Sequence, residues 1–370
     1  MKKVLVFGIT DLPGGVESVI MNYYRNIDRN KIQFDFLCNT EKVAYEEEIK
    51  ELGGTIYRIT ARSKNYKKYK KEMKDFFENH SKEYSTIWVN ICSLANIDYL
   101  KYAKKYGIEY RIIHCHNSQN MDSFLRGLLH RWNRLLINKY ATDFWSCSDD
   151  ASKWFYNKKI IQNDKYLVIK NAINLEKFKY NEKIRNDYRK KMNLEDCFVV
   201  GHVGRFHFQK NHKFLIKIFN EIHKKNKKAM LLLIGEGQDE KEIKEMVKHN
   251  GIEKYVKFLG PRKDVSELMQ AMDVFVFPSV FEGLGVVLIE AQASGLPIYA
   301  SSNVIPNEVE IIKQNFNFLS LNYDELYWAD TILKDFKEIK YNRVIDLKLI
   351  ENCGYNIKKE EQKIEKFFTR

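Results

Sequence analysis

Short, β-rich apolar runs alternate with stretches of helical period along most of the chain, the pattern that parallel β-α units produce when helices cover both faces of a sheet. Val4-Leu5-Val6-Phe7 reads as a first strand, followed by a glycine-bearing loop (Gly8 to Gly15), an amphipathic helix from about Val16 to Asn26 and a strand at Phe34-Asp35-Phe36-Leu37. Ile87 to Val89, Arg111 to His114, Asp143 to Trp145 and Leu167 to Ile169 continue the rhythm. A charged stretch around Asn171 to Asn193 interrupts it. It restarts at Phe198 to Val203, Met230 to Ile234, Val256 to Leu259, Val274 to Phe277 and Pro297 to Ala300. The prediction is an α/β chain of two doubly wound domains, residues 1–180 and 181–354, facing across a cleft. Open parallel sheets bind ligands at the carboxyl ends of their strands, so those ends carry the candidate chemistry.

Length and composition agree. The chain has 370 residues, enough for two domains, and 44% hydrophobic with 14% aromatic residues excludes wholesale disorder. No apolar run approaches the roughly 20 residues of a spanning helix. Met1-Lys2-Lys3 leads directly into the first strand with no cleavage signature, so a cytoplasmic protein is expected. Six cysteines lie scattered without a C-x-x-C pair, which predicts free thiols and no zinc site. The net charge is +13, and residues 51–250 hold 40 of the 62 basic side chains but only 23 of the 49 acidic ones. Such a region suits nucleic acid, an anionic membrane or a phosphorylated substrate, and charge alone does not choose.

Three strand ends carry candidate chemistry. In Gly8 to Glu17, paired glycines let backbone N–H groups approach a phosphate at a helix N-terminus, although the loop is neither G-x-G-x-x-G nor a Walker A sequence and equally serves as a sharp turn. Gly204-Arg205-Phe206-His207-Phe208-Gln209-Lys210 places two cations where they can converge on a diphosphate, or simply be solvated. Gly235-Glu236-Gly237 offers a further close approach to phosphate or sugar. The most informative segment is Phe277 to Ala291, with Glu282 and Glu290 eight positions apart. If most of that interval is helical, the rise is about 10–12 Å, comparable to the span from sugar to ribose in a nucleotide-sugar. A carboxylate accepts two hydrogen bonds from a ribose diol, and the N–H groups of Gly283, Leu284 and Gly285 face phosphates. The alternative is a capped helix with Glu282 as a first-turn charge and Glu290 paired to a lysine.

Gly14-Gly15-Val16-Glu17, Gly204-x5-Lys210, Gly235-Glu236-Gly237 and Glu282-x7-Glu290, in this order, resemble glycosyltransferase family 4. The stretch Glu282 to Pro297, EGLGVVLIEAQASGLP, is similar to bacterial capsule and exopolysaccharide glycosyltransferases. The resemblance implies the GT-B fold of two Rossmann-like domains, with a C-terminal helix of about 355–370 packing back onto the first. It implies a retaining, metal-independent transferase with no cofactor, taking a nucleotide-sugar donor, UDP-linked, to a lipid-linked or oligosaccharide acceptor. Arg205 and Lys210 would hold the diphosphate, Glu290 the ribose, Glu282 with the Gly283–Gly285 backbone the sugar, and Gly15 would lie beside the leaving phosphate. His116 matches the family's first-domain histidine near the donor sugar; on residues alone, a strand-end histidine is also accounted for as a ring bonded to backbone carbonyls. The absence of an Asp-x-Asp tripeptide fits metal independence. One departure is the loop Ser302 to Glu308, which lacks the family's Gly-Gly pair.

Two amphipathic stretches remain. Tyr66, Tyr69, Met73, Phe76 and Phe77 recur at helical spacing among lysines, and Leu125, Leu128, Trp132 and Leu135 do so beside Arg126, Arg131 and Arg134. Either can rest on anionic lipid as a peripheral contact, or be an outer helix with its apolar face on the sheet. Competing function classes are a nucleotide-sugar epimerase of the same fold and a non-catalytic basic binding module. No nucleic-acid motif supports the latter, so no nucleic-acid partner is expected.

Overall fold

The computed structural model describes residues 1–117, 124–338 and 342–370. The chain forms two units, Met1–Ala172 with Asn356–Arg370, and Ile173–Tyr355.

The first unit is a seven-stranded, all-parallel sheet. Its strands are β1 (Lys2–Phe7), β2 (Ile32–Cys38), β3 (Ile56–Arg58), β4 (Thr86–Ile91), β5 (Tyr110–Cys115), β6 (Asp143–Ser146) and β7 (Tyr166–Val168), in the order β3-β2-β1-β4-β5-β6-β7. Every residue of β2 is buried, as helices on both faces require. Helix Gly15–Asn26 presents Val19, Ile20, Tyr23 and Tyr24 inward, one face at 3.6-residue spacing. The closing helix Ile357–Phe368 belongs to this unit. Phe367 and Phe368 pack their rings 5.1 and 5.8 Å from Trp145.

The second unit repeats the plan with β8 (Phe198–Val203), β9 (Ala229–Ile234), β10 (Val256–Phe258), β11 (Val274–Phe277), β12 (Ile298–Ser301) and β13 (Phe316–Leu319), all parallel in the order β10-β9-β8-β11-β12-β13. Strand alternation divides its core in two. Val199, Leu232, Phe275 and Phe277 join one apolar cluster, while Val200, Leu231, Val274 and Val276 join the other.

The division falls after Ala172, earlier than the expected 180. Ile173 donates its N–H to the Tyr355 carbonyl, and Leu175 and Phe178 of the short helix Leu175–Phe178 are buried in the second unit's core. Strands β3 and β13, both at sheet edges, escaped the sequence reading; β3 has no buried residue, and in β13 only Phe316 and Leu319 are buried. Among the described residues no helix is long and apolar enough to cross a membrane.

Candidate functional site

Strand order reverses between β1 and β4 in the first sheet and between β8 and β11 in the second. At such a switch the connections leave toward opposite faces, and the strand ends open a crevice. The residues singled out in the sequence lie in the loops at these two places or beside them.

In the second unit, the β8 loop carries Arg205 and Lys210 and the β11 loop carries Glu282. Lys210 Nζ donates to Glu282 Oε1 at 2.5 Å, with both side chains largely buried. The ammonium lies 4.6 Å from the centre of the Phe277 ring. A second tie joins the loops, since the Val280 N–H donates to the Gln209 carbonyl at 2.8 Å. Gly204 makes room for this arrangement: a Cβ there would stand 3.0 Å from His202 Nε2 and 3.2 Å from the Lys210 stem. Arg205 is exposed on the same loop.

The helix after β11 is Val286–Ala293, so Glu282 to Gly285 is loop. The expected helical rise between Glu282 and Glu290 therefore does not hold, and Glu282 is not a first-turn charge. Gly285 caps this helix at φ 75°, a left-handed conformation that a side chain disfavours, and has no side chain of its own to cap the first-turn N–H groups. Gly283 is partly open, whereas the Leu284 side chain is buried in the core, leaving only its backbone for a ligand. Glu290 sits deep in the protein with part of its surface still open. Desolvation pushes its carboxyl up to about 7, against a weaker pull from Lys177.

Gly235 and Gly237 are required by the protein's own packing. A Cβ at Gly235 would lie 2.2 Å from the Gly204 carbonyl oxygen, and one at Gly237 would lie 2.3 Å from that of Phe206. These glycines admit the protein's own backbone. The loop after β12, which lacks glycines, turns through Asn303 at φ 62°, the kind of residue that tolerates this region best after glycine.

In the first unit, Gly15 is the first residue of its helix, and a Cβ there would meet no atom of the described residues within 4 Å. Neighbouring protein atoms therefore do not demand glycine at this position. Thr10 hydroxyl donates to Glu17 across the same loop. His116 follows β5, and its Nε2 lies 3.0 Å from Asn90 Oδ1 at the end of β4. An amide oxygen only accepts, so Nε2 carries the proton and Nδ1 keeps its lone pair. Among the described residues Nδ1 has no hydrogen-bond partner. Burial lowers the pKa to about 3, with Asn171 pulling weakly upward, so the ring is neutral at physiological pH. The His114 ring lies beside it, tilted by 47° with ring centres 4.1 Å apart, as strand parity predicts. Burial, with a lesser contribution from His116, also holds its pKa well below the usual imidazole value, against a weak upward pull from the Ile169 backbone.

Several residues around these places were not found from sequence. Asn90 and His202 are polar positions within apolar strands; His202 Nδ1 pairs with the Val276 carbonyl at 2.8 Å, and its pKa falls to about 4 mainly through burial. His212 stacks on Phe206 at 4.2 Å. A polar residue at the carboxyl end of a buried strand was the available signal.

Both parallel-sheet units place a helix N-terminus beside their switch points, and the second adds the Lys210–Glu282 pair there. The chain belongs to the glycosyl transferases group 1 family, whose model matches residues 184–359. It is 31% identical over 358 residues to the Bacillus subtilis protein EpsF, named as a glycosyltransferase, covering 93% of this chain and 90% of that one. An Escherichia coli enzyme named UDP-Gal:alpha-D-GlcNAc-diphosphoundecaprenol alpha-1,3-galactosyltransferase is 24% identical, covering 82% of this chain and 77% of that one. Among solved structures, Anabaena HepE in complex with UDP and glucose superposes with a TM-score of 0.80 at 18% identity, covering both chains fully. WaaG, a glycosyltransferase involved in lipopolysaccharide biosynthesis, gives 0.71 at 16% identity over 99% of each chain. The fold is GT-B.

Proposed function

We propose that this glycosyltransferase is a retaining family 4 enzyme that moves a sugar from a UDP-sugar to a lipid-linked glycan acceptor in capsule or exopolysaccharide biosynthesis. It would work in the cytoplasm, in peripheral contact with the inner face of the membrane. The observation that carries the reading is the Lys210–Glu282 pair at the second sheet's switch point, a cation and a carboxylate held together on the two loops where phosphate and sugar would meet. The names of EpsF, the E. coli galactosyltransferase and HepE's bound UDP and glucose support the substrate class by analogy.

In this reading Lys210 and Arg205 neutralise the leaving diphosphate, with the backbone N–H groups of Gly283, Leu284 and Gly285 and of Gly15 facing phosphate oxygens or sugar. Glu282 accepts from sugar hydroxyls and Glu290 from the ribose diol. The neutral His116 is assigned to the transferred sugar, where Nδ1 accepts a hydroxyl hydrogen. As the bond from the anomeric carbon to the phosphate oxygen breaks, the acceptor oxygen bonds to that carbon on the same face. The acceptor's proton passes to the departing phosphate. Preorganised charge supplies the catalysis, and no metal or cofactor is assigned a step.

The test is a screen of UDP-, GDP- and ADP-sugars with EDTA present, using a soluble polyprenyl-diphosphate glycan analogue as acceptor and reading the product's anomeric configuration by NMR. UDP release with retained configuration is expected. An inverted product contradicts retention, and loss of activity in EDTA contradicts metal independence.

A further inference from the structure

Asn90 is the penultimate residue of β4, a polar side chain in a buried strand and only 2% exposed. Its amide has two different sides. Nδ2 donates to two backbone carbonyls, that of Phe7 on β1 at 3.4 Å and that of Trp88 at 3.5 Å. Carbonyl oxygens only accept, so the NH2 group belongs on that side and Oδ1 on the other, where it meets His116 Nε2 at 3.0 Å. An amide turned over would set its oxygen against two further oxygens. The backbone of the sheet thus decides how Asn90 is turned, and the tautomer of the imidazole follows from it.

The neighbouring chain holds Asn90 in this place. Gly8 follows β1 at φ 140°, and a Cβ there would stand 2.7 Å from Asn90 Cβ and 2.8 Å from the Asn90 carbonyl oxygen. This first glycine of the Gly8 to Glu17 loop, read from the sequence as part of a phosphate approach, has its open side filled by Asn90. His116 is held at its backbone too. Its N–H donates to the Ile91 carbonyl at 3.2 Å, one step beyond the pairing of Ile91 with Cys115. With the backbone registered on β4, what remains to be set is how the ring is turned and which nitrogen carries the proton. The Asn90 oxygen sets both.

We propose that Asn90 is a positioning residue for sugar transfer: by fixing the Nε2–H tautomer and the orientation of His116, it keeps the Nδ1 lone pair open to a hydroxyl of the transferred sugar. The inference deepens the proposed function and rests on its assignment of His116 to that sugar. An imidazole of the other tautomer presents an N–H at Nδ1 and can only donate there. The sugar hydroxyl would then have to turn a lone pair toward the ring and give its hydrogen elsewhere, which changes every other bond it makes. The same logic holds where a carboxylate orients a catalytic imidazole. An amide differs in one respect, because it sets the tautomer without drawing a second proton onto the ring. The ring accordingly stays neutral, its pKa lowered to about 3 by burial against a weak upward pull from Asn171. The imidazole beside it, His114, is held low by burial as well.

The test reads the tautomer directly, by long-range proton–nitrogen NMR of the full chain labelled at histidine, with the His116 signals identified by their loss in His116→Gln. Wild type shows a proton on Nε2 and a bare Nδ1. Asn90→Leu, which keeps the shape and removes the acceptor, shows the Nδ1–H form or a mixture. Its kcat for transfer from a UDP-sugar to the soluble acceptor falls at least about tenfold, the scale of one hydrogen bond, while free UDP binds as before. Asn90→Asp keeps the acceptor and adds a charge. Its carboxylate raises the pKa of the ring, so the rate falls on the acid side of an inflection between about pH 5 and 8 and recovers above it. Wild type is flat over that range and Asn90→Leu is low throughout it. A residue that only supported the fold would produce no such acid limb. Persistence of the Nε2–H form or undiminished kcat in folded Asn90→Leu overturns the proposal, as does a flat profile in folded Asn90→Asp. Undiminished transfer by His116→Gln would instead overturn the assignment of His116 to the sugar, on which the inference rests.

Discussion

Lys210 and Glu282 neutralise each other across the β8–β11 switch, at 2.5 Å and largely out of water. A donor's phosphate would compete for Lys210 with a carboxylate that then becomes available to the sugar, so the pair holds the site closed in charge until a ligand separates it. Glu282→Gln removes the competitor. It is expected to tighten free UDP by a few-fold while slowing transfer by about 10²-fold, the usual scale for losing one preorganised group. Titration calorimetry with UDP and steady-state kinetics measure the two effects, and a fall in both would undo the idea of competition.

Lys210→Met leaves Glu282 buried without its cation. Breaking one side of a buried pair costs on the order of 3 kcal/mol, and the partial exposure here brings the expectation to about 1–2 kcal/mol. Denaturant unfolding measures it, and Lys210→Met/Glu282→Gln should recover most of the loss.

Glu290 has a carboxyl raised from 4.5 to about 7 by burial. The native state then binds more protons than the unfolded chain between those values, so this group's contribution to stability falls as pH rises from about 4.5 to 7 and is level above. Glu290→Gln should remove that slope, making the variant the more stable protein at pH 8 and equal at pH 4. Its UDP affinity should nonetheless drop about tenfold, the scale of one charged hydrogen bond to the ribose. Unchanged UDP affinity would refute the ribose assignment.

Burial lowers His116 to about 3, His202 to about 4 and His212 to about 2. Each native ring stays neutral where the unfolded one gains a proton, so stability is lost as pH falls below 6.5. His212→Phe, which keeps the stack on Phe206, should flatten the acid limb of a stability curve. For the same reason, the pH–rate profile between 5 and 9 should show no inflection that His116→Asn removes.

The alternation of apolar strands with helical periods made both sheets legible, because a parallel sheet buried on two faces leaves continuous runs such as Val4 to Phe7 and Met230 to Ile234. Strands β3 and β13 sit at sheet edges and bury too few residues to leave a continuous apolar run. Glu282 and Glu290 were visible as a spaced pair between buried flanks, but the left-handed turn at Gly285 that delays the helix was not. Gly235 and Gly237 looked like ligand glycines because sequence records the missing side chain and not what approaches it. Periodicity also established that Phe124–Leu136 is amphipathic without telling which face is inward; the buried side is the one where His130 and Asn133 meet Leu94, a contact between distant residues.

The central claim is that Lys210, Glu282 and Glu290 receive a UDP-sugar. The most direct measurement is slow donor hydrolysis followed by mass spectrometry for wild type, Lys210→Met and Glu290→Ala, with circular dichroism showing each variant folded. The account predicts UDP release from one UDP-sugar by wild type, undiminished in EDTA, and at least about 10²-fold less by both variants. Equal release by folded Lys210→Met and Glu290→Ala would contradict it.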